Sequence, residues 1–326
     1  MAKREIRQIF DLLLKRLLHL SRAATVQFIN GLFGTSHPAD SGVEYPNTES
    51  VSRNLRKRQS DMLVVIDGRT YHLEAQIRDD ENIALRVFEY GWREALRTKR
   101  ASEDGWNFSL KFPRAKVIAW ETTGKTPDAA VLTLEFSDGG RYDYQVEIFK
   151  FPDHDIEELE EKKLWLLLPF CLLKFRKRVT AARTSERRRE LAVGTMELLN
   201  EMDAVVDRAI RSDLLSAADA GTVLEYAQDL FEELYGGYSE FKEADDMFKE
   251  KAQTRSQIAA RRGREEGLEE GIERGIEKGR EEGLEVGIEK GMEKVARNML
   301  ARGGFAPDTV AELTGLPPER IRELAQ

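Results

Sequence analysis

The chain has 326 residues, 41% of them apolar and 34% charged, with a formal net charge of −8. This is the balance of a soluble globular chain with room for one to three domains. The longest apolar run, Leu164 to Leu173, is too short for a bilayer and contains Pro169, so no membrane partner is expected. A single cysteine, Cys171, excludes an intrachain disulfide and fits a reducing cytoplasm, the expected compartment. The first twenty residues are basic and apolar at helical spacing, but they lack the continuous apolar core and cleavage site of a secretion signal. The net acidity argues against nucleic acid only as an average. The first hundred residues hold about 17 basic against 13 acidic side chains.

In chain order, Ile6, Ile9, Phe10, Leu13, Leu14, Leu17 and Leu18 set a helix from about 5 to 33, closing at Gly31 or Gly34. Thr35 to Ser52 has no period and reads as a loop. A β-hairpin follows at about 61 to 77, then a helix from Glu81 to Arg97. That helix carries Ala84, Phe88, Trp92 and Ala95 on one face and Arg86, Tyr90, Arg93 and Arg97 on the other. Strands are expected at Lys116 to Glu121, Val131 to Phe136 and Tyr142 to Phe149. From Asp155 to about Gln253 the pattern is helical, interrupted at Pro169, near Ser212 and at Gly236-Gly237.

The hairpin carries the chemistry. Asp67-Gly68 between alternating apolar residues signals a two-residue type I′ turn. Pairing outward sets Ile66 opposite Arg69, Val64 opposite Tyr71, Met62 opposite Leu73 and Asp61 opposite Glu74. One face then carries Met62, Val64, Ile66, Tyr71, Leu73 and Ala75; the other carries Asp61, Leu63, Val65, Thr70, His72, Glu74 and Gln76. Directly opposed carboxylates repel. A divalent cation, an Arg or Lys cluster, or plain exposure to water would each relieve them. Mg²⁺ or Mn²⁺ suits two carboxylates near 5 Å and would polarise a phosphoryl oxygen and activate water. Arg53, Arg56, Lys57 and Arg58, just before Asp61, and Arg86, Tyr90 and Arg93 on the following helix form basic surfaces suited to a phosphate backbone.

The order of a first helix with Asp11 and Lys15, then SDMLVVI, HLEAQ, ALRVFEYG and KFPRAKVIAWETT, resembles the Rpn family of recombination-promoting nucleases and proposed transposases, within the PD-(D/E)XK nuclease superfamily. The likeness covers roughly residues 5 to 180, and its most specific signals are Glu74-x-Gln76 and Arg86-x3-Tyr90. It implies an α/β fold, a PD-(D/E)XK nuclease-like mixed sheet flanked by helices, and metal-dependent cleavage of DNA. It also implies that Asp61 and Glu74, with the Ala75 backbone carbonyl, ligate Mg²⁺ or Mn²⁺. Gln76 stands where the superfamily motif has lysine. An amide orients water without supplying charge, so Arg86 is the nearby cation to take that part. Asp11 is a further candidate, against an exposed helical face as the plainer reading.

His72 shares the site face, and His154 sits in Asp-His-Asp without an identifiable partner. No Cys/His zinc spacing, P-loop, GxSxG or Rossmann fingerprint is present. From Gly263 to Gly291 a glycine falls every fourth residue, flanked by Leu268, Ile272, Ile276, Leu284, Ile288 and Met292. Each interior glycine weakens an isolated helix by about 1 kcal/mol, so a helical stalk here calls for a partner, and a homo-oligomer is expected over a flexible charged linker. Residues 301 to 326 resemble a small helix-turn-helix unit with balanced charge, as suited to packing or partner recognition as to reading DNA. The expected organisation is a nuclease-like domain at 1–180, a helical region at 181–254, the glycine-repeat stalk at 255–294 and the terminal unit at 295–326. The expected activity is divalent-metal-dependent DNA endonuclease cleavage. The alternative is a catalytically inactive nuclease fold that binds or assembles through the stalk.

Overall fold

Two helices stand where one was expected from 5 to 33: α1, Lys3–Leu17, and α2, Arg22–Phe33. The computed structural model describes residues 3–46, 62–77, 79–101, 106–301 and 305–325. Ser21 makes the break between the helices. Its backbone is extended (φ −128°, ψ 161°), and its hydroxyl oxygen accepts from the Ala24 N–H at 3.1 Å, an N-cap that ends one helix and starts the next. The same hydroxyl donates to Asp219 at 2.6 Å, a tie across most of the chain that local periodicity does not encode. α2 closes at Gly34 in the left-handed conformation, φ 63°.

The expected loop after Thr35 contains a short strand, β1, Val43–Glu44, which pairs with β2, Met62–Ile66. β2 and β3, Arg69–Gln76, form the expected hairpin. Asp67 and Gly68 both have positive φ, 47° and 73°, as a type I′ turn requires, and the register runs from Ile66↔Arg69 to Met62↔Leu73. The next pair, Asp61 with Glu74, lies outside the described residues, as do Arg53, Arg56, Lys57 and Arg58. After β3 come α3, Ile83–Arg97, and a two-stranded ribbon of β4, Arg100–Ala101, and β5, Phe108–Ser109. The three later strands are β6, Arg114–Ala119, β7, Ala129–Glu135, and β8, Arg141–Lys150, within two residues of expectation at each end.

The main sheet is mixed, with order β1-β2-β3-β6-β8-β7; β3, β6 and β8 are parallel to their neighbours in that series, and the other pairs are antiparallel. Strand alternation sorts its two faces. Met62, Val64, Ile66, Tyr71, Leu73, Ala75 and Ile118 face a large apolar core shared with α1 and α2. On the opposite face Val117, Ala119, Val146 and Ile148 meet Ile83 and Val87 of α3.

Residues 156–241 wrap the large core with α4, Ile156–Glu161, α5, Leu173–Ala181, α6, Ser185–Arg211, and α7, Ala217–Tyr235. Between α4 and α5 the apolar run folds as a wholly buried 3₁₀ segment, Trp165–Leu172, because Pro169 has no N–H for an α-helical ladder. The Phe170 ring stacks on Trp120 at 4.0 Å. The segments expected to divide at residue 180 thus share one core, which runs from Phe10 to Phe248. Contacts group the chain into Met1–Ala259 and Ala260–Gln326.

The glycine repeat lies within α8, Lys242–Ala301. A Cβ built on Gly271, Gly275, Gly279, Gly283, Gly287 or Gly291 meets nothing within 4 Å, and Leu268, Ile276 and Leu284 are about two-thirds exposed. α9, Pro307–Thr314, and α10, Pro318–Leu324, close the tail as expected, with Ala296, Val310, Leu316 and Ile321 forming its small core.

Two glycines mark opposite constraints. A Cβ on Gly31 would lie 1.9 Å from the Lys162 carbonyl oxygen, so α2 touches that backbone directly. Gly31→Ala is expected to destabilise the protein by about 3 kcal/mol, in the overpacking range, whereas Gly271→Ala, in open space, is expected to add helix. Thermal melts followed at 222 nm check both: a lower midpoint for the first, and stronger ellipticity with no lower midpoint for the second.

Candidate metal centre under helix α3

The polar row of β3 does not face water. Alternation turns His72, Glu74 and Gln76 to the α3 side, where none is more than 6% exposed. α3 meets them with a matching row. Residues four apart on a helix rise about 6 Å, and residues two apart on a strand advance about 6.6 Å, so a helix can hold strand partners in step. Arg86 pairs with Glu74, the Tyr90 ring meets the His72 ring edge-on at 5.9 Å, and Glu94 shares a cavity lining with Thr70.

This register corrects the expected faces of α3. Trp92, expected on one face with Ala84, Phe88 and Ala95, is 43% exposed, while Ala84, Val87, Gly91 and Ala95 face inward. Gly91 is where the chain crosses: a Cβ there would stand 3.1 Å from Phe112. The expected arginine face is divided. Arg86 is inside, Arg97 donates twice to Glu94 at 2.9 and 2.7 Å, and Arg93 lies exposed over the Tyr90 ring at 5.6 Å.

Arg86 links two acids. One Nη donates to Glu74 and the other to Asp80 at 2.7 Å. Asp80 is held in place through its neighbour: the Thr123 and Thr126 hydroxyls donate to Asp79 at 2.6 and 2.7 Å, holding its carboxyl below the usual range and pinning the segment after β3 to the turn after β6. Sequence reading missed both aspartates, although an acidic Asp79-Asp80-Glu81 run before a helix is a readable signal. Burial pulls the His72 pKa down to about 4, with Arg86 adding to the fall and Glu74 and Glu94 opposing it. The imidazole is therefore neutral at physiological pH.

Oxygen donors gather at the end of β3. The Gln76 carbonyl accepts from Trp120 N–H at 2.9 Å on the β6 side, so alternation turns the Ala75 carbonyl to the β2 side, next to where the described part of β2 begins at Met62. The Gln76 Oε1 is buried and has no hydrogen-bond partner among the described residues. The Glu74 carboxylate and Ala75 carbonyl are hard oxygens of the kind Mg²⁺ or Mn²⁺ accepts, and the orphaned amide oxygen fits a site that holds water. Among the described residues no group of three His, Cys, Asp or Glu side chains converges as a metal seat. The expected second carboxylate, Asp61, is outside them.

The remaining candidates sit elsewhere. Asp11 is half-buried on α1, which packs in the layer against the opposite sheet face. His154 stacks on Phe149 at 4.3 Å and bonds Glu158 at 3.0 Å, which gives it a packing role. Among the described residues no helix is long and apolar enough to cross a membrane. Comparison with protein families, with curated proteins and with solved structures finds no match for this chain.

Removing one partner of a buried ion pair costs about 3–5 kcal/mol, because the other charge is left uncompensated. Arg86→Ala is therefore expected to lower the melting temperature strongly in EDTA. Millimolar Mn²⁺ is expected to recover much of that loss by occupying the Glu74 side, with little effect on a Glu74→Gln, Arg86→Ala double variant. Equal Mn²⁺ effects on both variants would separate Glu74 from metal binding.

Proposed function

We propose that the protein is a divalent-metal-dependent DNA endonuclease of the Rpn type. The observation that carries this reading is the end of β3: a buried carboxylate on the α3 side, a strand carbonyl on the β2 side one residue later, and an unpartnered buried amide oxygen. The path supports it as well. A hairpin bearing Glu74-x-Gln76, a crossing helix and a strand parallel to β3 follow one another, in keeping with a nuclease-like mixed sheet.

In this reading Asp61, Glu74 and the Ala75 carbonyl hold Mg²⁺ or Mn²⁺. The ion supplies Lewis acidity toward a phosphoryl oxygen and a bound water of lowered pKa. The Gln76 Oε1 accepts a hydrogen bond from the attacking water and orients it. Arg86 brings the positive charge that glutamine lacks, with Asp80 holding its second Nη in place. Tyr90, Arg93 and the Arg53, Arg56, Lys57, Arg58 run engage the DNA backbone. α8 joins copies of the chain through its exposed Leu and Ile positions.

A second reading has its own observation. Glu74 already has a cation in Arg86, and no lysine stands at position 76, so the same fold serves a non-catalytic binding or assembly protein. Plasmid nicking separates the two. Purified protein is expected to nick supercoiled DNA with Mg²⁺ or Mn²⁺ and not in EDTA. Asp61→Asn and Glu74→Gln are each expected to reduce the rate by at least about 100-fold, the scale expected when a metal's contribution to the transition state is removed, with circular dichroism at the assay temperature showing that each variant is still folded. No nicking by wild type, or equal nicking by all three, favours the assembly reading.

A further inference from the structure

A second cleft opens at the other end of β3. It has a volume of about 850 Å³ and lies between the hairpin turn, the C-terminal end of α3 and the β4–β5 ribbon. Arg69 lies five residues before Glu74, about 16 Å along the strand, so the cleft is separate from the candidate metal centre.

Its lining is basic. Arg69, Arg97, Arg100, Lys111 and Arg114 line it, against Glu44 and Glu94. The one strong internal pairing, Arg97 with Glu94, removes one charge of each sign. Arg69, Arg100, Lys111 and Arg114 are exposed, and no salt bridge engages any of them among the described residues. Four cations from four different elements or loops therefore line one concavity with no ion pair within 4 Å among the described residues, although Asp67 stands near Arg69 and Glu147 near Arg114. The excess of positive charge in such a concavity favours a polyanion.

The cleft also has aromatic walls. Phe112 and Tyr45 line it, and the half-exposed Trp92 adjoins Phe112 at 6.2 Å. Cations that track phosphates beside aromatic faces that accept unpaired bases are the two components of single-strand recognition. An acidic protein would use the charge without the rings, and a duplex keeps its bases stacked inside.

We infer that this cleft binds single-stranded nucleic acid, with its phosphates on Arg69, Arg100, Lys111 and Arg114 and its bases against Tyr45, Phe112 and Trp92. The inference does not depend on metal-dependent cleavage.

The test is fluorescence anisotropy of a labelled mixed-sequence 20-nucleotide DNA in EDTA, where cleavage is off. Wild type is expected to bind with a steep salt dependence, losing about 0.7 in log–log slope for each cation removed. Arg69→Gln with Arg114→Gln, and separately Arg100→Gln with Lys111→Gln, are each expected to weaken binding at least tenfold and flatten the slope. Trp92→Ala is expected to weaken binding with the slope unchanged. Working in EDTA, with no cleavage to read, keeps this result independent of the nuclease reading. The four cations are exposed, and a melting curve on each pair shows that the fold is retained. Unchanged binding by both pairs, equal or better competition by the duplex of the same sequence, or binding to anionic phosphatidylserine vesicles in place of the oligonucleotide would each overturn the inference.

Discussion

A carboxylate buried under a helix has to meet a positive charge, and the pairing of Glu74 with Arg86 is the contact around which this half of the molecule is arranged. It joins the central strand to the helix that crosses it. Both side chains are largely removed from water, so their mutual attraction is screened far less than that of a surface pair. The contact sets the register of α3 on β3, which then places Tyr90 on His72 and Glu94 near Thr70. Burial under α3 keeps His72 neutral: exclusion of water outweighs the opposing pull of Glu74 and Glu94, and Arg86 adds to it. Asp79 and Asp80 extend the constraint to the turn after β6, so the end of β3 is tied on both sides.

Much of this was readable because short-range rules governed it. The Asp67-Gly68 turn fixes the hairpin register residue by residue, and the apolar face it specified is the face that packs the large core. Of the interruptions expected after residue 155, Pro169 lies in a 3₁₀ rather than an α-helical segment, α6 ends at Arg211 before Ser212 and α7 ends at Tyr235 before Gly236, while the repeat glycines lie inside α8. What was missed depended on distant partners. Ser21 splits the first helix through its own cap together with Asp219, 198 residues away. β1 exists because the edge of β2 gives Val43 and Glu44 a ladder to join. Spacing grouped Trp92 on one face with Ala84, Phe88 and Ala95. The polar row on β3 and the close passage of Phe112 at Gly91 rotate Trp92 outward.

The candidate site was legible in part for the same reason. Alternation placed Glu74, Gln76 and His72 together, and their burial followed from a helix that sequence spacing had oriented differently. Arg86 was expected at the site as a phosphate ligand; its contact with Glu74 gives it a prior role as the counter-charge that lets the carboxylate be buried. The three means proposed for relieving negative charge on this face were a divalent ion, basic side chains and water. In the structure an arginine does so for Glu74, and a metal-binding state has to share or replace it. The glycine repeat follows different physics: within the chain its helix makes no close approach at the described glycines, and Leu268, Ile276 and Leu284 beside them are exposed.

The proposal that Glu74 ligates a divalent ion is tested most directly by electron paramagnetic resonance of Mn²⁺ titrated into the full-length protein. The account predicts one tightly held Mn²⁺ per chain, seen as loss of the free-ion signal, and its disappearance in Glu74→Gln, a variant that keeps the size of the side chain. Identical titration of wild type and variant, or no bound Mn²⁺ in the wild type at millimolar concentration, would contradict it.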